Sequence, residues 1–128
     1  MGTRSTVKFY EEGNNEDPVL SVYNQFDGYI DGVGHDLANF LKAKTIINGI
    51  SGNQSMENGH ANGMGCLAAQ YVAEKKVKIG GLYLTTKEDS QNYDYEVRFI
   101  NSKIIIKVDD FEGTPEELLT YEPNEDED

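Results

Sequence analysis

The stretch Asn62-Gly63-Met64-Gly65-Cys66-Leu67-Ala68-Ala69-Gln70 holds the chain's one cysteine inside a glycine turn. Two glycines give way to a run of good helix formers, so the backbone turns sharply and a helix begins on small residues. A helix start leaves N–H groups without intrahelical partners, and these can hold a phosphate or a carboxylate. The pattern is not a P-loop, because no Lys-Ser or Lys-Thr follows the last glycine. With no strand expected immediately before it, it does not read as a dinucleotide fingerprint either.

Cys66 at a helix start can have its thiol activated by the dipole, and His35 or His60 would then be the base. Neither histidine belongs to a recognisable partner motif, so the expectation is a small packed cysteine and no catalytic residue. Asp27, Asp31, His35 and Asp36 form an acidic cluster, but their spacing is not that of a calcium loop. A glycine turn capped by acids is expected there, with no metal and no cofactor. Tyr23, Gln25, Asp27 and Tyr29 alternate along one side of a strand and its exit. With Arg4 beside them they offer rings to stack on a base, an amide and a carboxylate to read its edge, and a guanidinium for phosphate. The same residues can equally form a Tyr-rich sheet face at an oligomer interface, and the sequence leaves both readings open. The candidate ligand-binding set is therefore Arg4, Tyr23, Gln25, Asp27, Tyr29, His35, Asn62, Gly63, Met64, Gly65 and Cys66.

These residues need elements to position them. Thr6–Tyr10 and Val19–Phe26 alternate apolar and polar residues and predict a hairpin. Asp27–Gly34 is a glycine-punctuated loop leading into a helix over His35–Lys44, with Leu37, Phe40 and Leu41 as its buried stripe. Asp36 in the first turn and Lys42 and Lys44 in the last match the helix dipole. Asn48–Gly63 has four glycines and four asparagines among sixteen residues and reads as a long loop, a lid over a site or a disordered segment. A second helix is expected over Gly65–Lys76, packed through Leu67, Ala68, Tyr71 and Val72. Three strands follow at Gly81–Thr86, Tyr93–Ile100 and Lys103–Val108, the last two joined by Asn101-Ser102. Thr114-Pro115-Glu116-Glu117 is a capping box that starts a short helix. The order β-β-α-α-β-β-β predicts an α+β fold, a mainly antiparallel sheet with two helices packed on one face.

The chain has 128 residues, 11 basic against 23 acidic, for a net charge of −12. One domain is expected over residues 1–121, followed by a disordered acidic tail over 122–128. That tail holds five acids and leaves −7 for the rest. An acidic body excludes direct binding to duplex nucleic acid, which needs a basic footprint. A single cysteine, no signal peptide and no bilayer-length apolar run predict a cytoplasmic protein with no membrane contact. The Tyr-rich strand and the doubly apolar Ile104-Ile105-Ile106 predict a homo-oligomer, a dimer or larger.

Several motifs together point to relatives: Thr3-Arg4, Tyr23-x-Gln25-x-Asp27-Gly28-Tyr29, Gly32-x-Gly34-x-x-Leu37-Ala38-x-Phe40-Leu41, Asn48-Gly49-Ile50, Asn62–Gln70, Gly80-Gly81-x-Tyr83 and Tyr95-Glu96-Val97. In these the chain resembles a family of small uncharacterised proteins from phages, prophages and bacterial genomes. The resemblance covers nearly everything but the tail. Ile30 stands where relatives often have proline, which leaves that loop less rigid. The resemblance implies a phage setting, and by analogy an antagonist of host defence in the host cytoplasm. The leading expectation is a non-enzymatic protein that sequesters a small polar ligand, a nucleotide signal, between the Gln25–Gly34 loop and the Asn62–Cys66 turn. One alternative is an acidic inhibitor, or nucleic-acid mimic, that docks on a host defence protein. Another is an enzyme using Cys66 or His35.

Overall fold

Strict alternation in Tyr93–Ile100 turns Tyr95 and Val97 into the interior and Asp94, Glu96 and Arg98 to the opposite face. The same two-sidedness runs through the whole sheet of this computed structural model, which describes residues 3–50, 52 and 54–122. The elements are β1 (Ser5–Phe9), β2 (Leu20–Asn24), α1 (His35–Lys42), β3 (Thr45–Ile47), β4 (His60–Asn62), α2 (Gly63–Lys75), β5 (Leu82–Leu84), β6 (Tyr93–Ile100), β7 (Lys103–Val108), β8 (Phe111–Gly113) and α3 (Pro115–Thr120). A turn of π-helix, Ile30–Gly34, runs straight into α1. Six strands form one sheet in the order β5-β2-β1-β6-β7-β8. All neighbours are antiparallel except the central pair β1 and β6. The fold is α+β with a mainly antiparallel sheet, as expected.

Val7, Phe9, Val22, Tyr95, Val97, Ile104 and Ile106 make the sheet side of the core. Leu37, Phe40 and Leu41 of α1, Leu67 and Tyr71 of α2, and Leu118 of α3 make the other side. The Tyr71 ring joins the layers, 5.4 Å from Phe9 and 5.3 Å from Phe40 between centroids. Burial raises the Tyr71 and Tyr95 phenols well above their ordinary range, so both are neutral donors at any physiological pH. The opposite face of β1 is buried too. Lys8 lies under the segment that carries the chain from β5 to β6, its Nζ donating to the Asp89 carbonyl (2.7 Å) and to Thr6 Oγ1 (3.3 Å).

Several expectations need correction. β3 lies between the expected helix and the expected loop, where no element was expected, β4 lies within that loop, and the two pair in parallel, Ile46 opposite Ala61. The second helix begins two residues earlier than expected, at Gly63. The first ends at Lys42 rather than Lys44. Phe26 lies outside β2 and is half exposed. Ile104 and Ile106 are buried within the chain, with only Ile105 partly open, so β7 gives no reason for a second subunit. The capping box at Thr114 is present in full: Glu117 N–H donates to Thr114 Oγ1, and Thr114 N–H donates to Glu117 Oε1. Beyond Glu122, the expected tail lies outside the described residues, as do Ser51 and Asn53 of the expected lid.

Candidate functional site

The residues singled out in the sequence fall into two groups. Arg4, Tyr23, Gln25, Asp27, Tyr29 and His35 gather around the start of β1. Gly28 packs against Ser5, and its N–H donates 2.8 Å to the Thr3 carbonyl. Gln25 Oε1 accepts from Gly81 N–H at 3.3 Å, and the Tyr29 hydroxyl donates to Asp27 Oδ1 at 3.1 Å. The Tyr23 ring lies 6.0 Å from Tyr83. Asp27 raises the Tyr29 phenol, chiefly by holding its proton in that hydrogen bond. Arg4 is exposed and its carbonyl accepts from Tyr93 N–H. His35 opens α1 with Nε2 buried and unpartnered among the described residues.

Asn62, Gly63, Met64, Gly65 and Cys66 lie at the other end of β1. A Cβ built on Gly65 would meet the Glu11 carboxylate, two residues past β1. From there α2 runs back along the strand, so that Tyr71 and Lys75 share a small cavity with Asn24 and Asp36. β1 spans roughly 15 Å. The Gln25–Gly34 loop and the Asn62–Cys66 turn therefore do not face one another, and the structure does not bring the two groups together. Met64 is fully buried and belongs to the core.

A strand does immediately precede Gly63, against expectation, because β4 ends at Asn62. Gly63-x-Gly65-x-x-Ala68 then sits in a strand–turn–helix context. Gly63 takes the tight turn at φ +85°, with open space around it. The context ends there: among the described residues no crossover helix lies between β3 and β4, and the Glu11 carboxylate stands beside the helix start. An anion approaching that start would meet a like charge. Cys66 Sγ accepts from Gln70 Nε2 at 3.4 Å, and the same amide donates to the His60 carbonyl. His60 Nδ1 accepts from Ser55 N–H, so that ring nitrogen is not directed at the thiol. Among the described residues no three His, Cys, Asp or Glu side chains are grouped to hold a metal ion.

The residues with unspent charge lie elsewhere. A groove of about 470 Å³ opens between the end of α1, β3, the β6–β7 hairpin and the start of α3. Lys42, Lys44 and Lys103 line it together with Phe99, Ile46 and Ile104. Local rules place each lysine. Lys42 and Lys44 straddle the carbonyl end of α1. Lys103 follows the tight turn in which Asn101 and Ser102 both take positive φ. Among the described residues none of the three makes an ion pair, although Lys44 Nζ lies 4.7 Å from the Phe40 ring centroid. Glu116 is the only carboxylate among the lining side chains. In a chain where acids outnumber bases 23 to 11, the groove inverts the balance. Sequence reading missed it because the three lysines come from separate elements. Their scarcity was the available signal.

Fold and groove together define an α+β protein whose helix-covered sheet carries an amphipathic, cation-lined groove. No protein-family model, curated protein or solved structure matches the chain. Among the described residues no helix is long and apolar enough to cross a membrane.

Proposed function

We propose that this chain is a non-enzymatic binding protein for a small anionic ligand of the nucleotide class, held in the Lys42–Lys44–Lys103 groove. The observation that carries the reading is that Lys42, Lys44 and Lys103 line one apolar-floored groove in an acidic protein, none of them ion-paired among the described residues. Cations lining a groove attract an anion, and Phe99, Ile46 and Ile104 give a flat or apolar body somewhere to rest. The volume suits a ligand of that size. The resemblance to phage proteins supplies the setting, sequestration of a nucleotide signal in the host cytoplasm. A homo-oligomer belongs to the same proposal.

Calorimetric titration against a panel of linear and cyclic nucleotides is the test. Lys44→Ala and Lys103→Ala should each weaken binding roughly tenfold, about 1.4 kcal/mol. Arg4→Ala should bind like the wild type. If Arg4→Ala loses binding and the lysine variants keep it, the ligand sits at the Asp27–Tyr29 end instead. If nothing in the panel binds, the reading fails and the acidic inhibitor moves ahead. That second reading has its own support in the Glu11–Asp17 loop, where Glu11, Glu12 and Glu16 make no ion pair among the described residues.

A further inference from the structure

We propose that two copies of this chain join through the outer edges of β5, about a two-fold axis at Tyr83, into one continuous sheet. The interface rests on the homo-oligomer proposed above and gives it a definite form. β5 is an outermost strand, and the side chains around it are exposed in the wrong sense for a free edge: Leu84 71%, Val77 79% and Ile79 98%. Lys76 Nζ lies on the outward-facing Leu82 carbonyl (2.6 Å) and over Tyr83, and Lys78 Nζ lies over Phe26. Around that capped edge the apolar side chains of Leu84, Val77 and Ile79 stay exposed.

Three observations choose a second copy as the occupant. The first is backbone pairing. The Gly81 carbonyl and the Thr85 N–H bond to β2, so the alternation turns the N–H and C=O of Leu84 outward. The second is the palindrome Leu82-Tyr83-Leu84. An antiparallel two-fold at Tyr83 sets Leu82 opposite Leu84 of the partner subunit on the helix side, and tyrosine opposite tyrosine on the other. Leu82 already has stand-ins, its N–H donating to the Gly80 carbonyl and its own carbonyl accepting from Lys76, which strand pairing replaces. The third is charge. Two bodies of −12 approach with least repulsion where bases outnumber acids, and Lys75 to Lys87 holds four lysines and no acid of its own, with Lys75 paired to Asp36 and Glu74 and Lys87 to Asp17.

The register is read by crosslinking. In a Cys66→Ser background, Tyr83→Cys places two thiols at a non-hydrogen-bonded pair on the axis, within disulfide reach. Mild oxidation should give a covalent dimer, and the Cys66→Ser parent should give none. Leu84→Arg should raise the dimer dissociation constant at least tenfold. A light-scattering mass near 14.3 kDa at micromolar concentration would overturn both oligomer and interface. A dimer mass without the Tyr83→Cys crosslink would overturn this interface and leave the oligomer standing.

Discussion

Tyr95 ties the loop before α1 to the sheet. Its ring is buried, its hydroxyl donates 2.8 Å to the Gly28 carbonyl, and a Cβ on Gly34 would crowd that oxygen at 3.0 Å. Tyr95→Phe leaves the Gly28 carbonyl without this donor, so it should cost about 1–2 kcal/mol in urea unfolding without loosening the core. Asp109 gives a second prediction at this scale. It sits at φ 51° in the β7–β8 turn, and partial desolvation, then repulsion from Asp110 and Asp94, raises its carboxyl pKa. A carboxyl whose pKa is raised on folding destabilises the fold in its ionised form. Asp109→Asn should therefore raise the melting temperature slightly at pH 7, and the gain should fade as the pH falls through the carboxylate range. An equal gain at pH 3 and pH 7 would refute that origin. Cys66 makes a weak contact with Gln70, so Cys66→Ser should keep ligand binding within about twofold. A loss of two orders of magnitude with the fold intact would restore the catalytic alternative.

The elements were legible where a period repeats. Tyr93–Ile100, read from its alternation, and Lys103–Val108, read from its apolar run, emerge with the expected bounds, and the capping box at Thr114 is read directly from residue types. β3 and β4 were not legible, because three residues hold no period and their pairing joins segments separated by a glycine-rich loop. Nor was the site. Whether the Gln25–Gly34 loop meets the Asn62–Cys66 turn depends on the direction in which α2 crosses β1, which no local pattern records. The two glycines of that turn also differ in a way only backbone angles reveal. Gly63 takes φ +85°, whereas Gly65 lies within α2 with room for a methyl group. Gly63→Ala should destabilise by about 1 kcal/mol. Gly65→Ala should stabilise by roughly 0.5 kcal/mol, since glycine in a helix wastes backbone entropy. Thermal melts of the two variants should move in opposite directions, and a shared direction would show that the left-handed residue of the turn is not Gly63.

At the scale of the whole molecule, charge and packing meet at the C-terminus. The last seven residues hold five acids and no apolar side chain except Pro123, so they add repulsion to a body already at −7. Tyr121, just before them, is different. It is half-buried, its ring lies 5.0 Å from Phe111, and its N–H donates to the Leu118 carbonyl at the end of α3. The boundary between fold and tail should therefore be sharp to one residue. Truncation after Tyr121 should leave the melting temperature unchanged or raise it slightly, with the rise largest at low salt, where self-repulsion is least screened. Truncation after Thr120 removes the ring and should lower stability by about 1–2 kcal/mol, the scale of a half-buried aromatic contact. Melting curves of both truncations at two ionic strengths decide the matter. If the chain ending at Tyr121 also loses several degrees, and salt does not change the loss, the acidic residues make specific contacts with the body. The lysine-lined groove would then be the first surface on which to look for them.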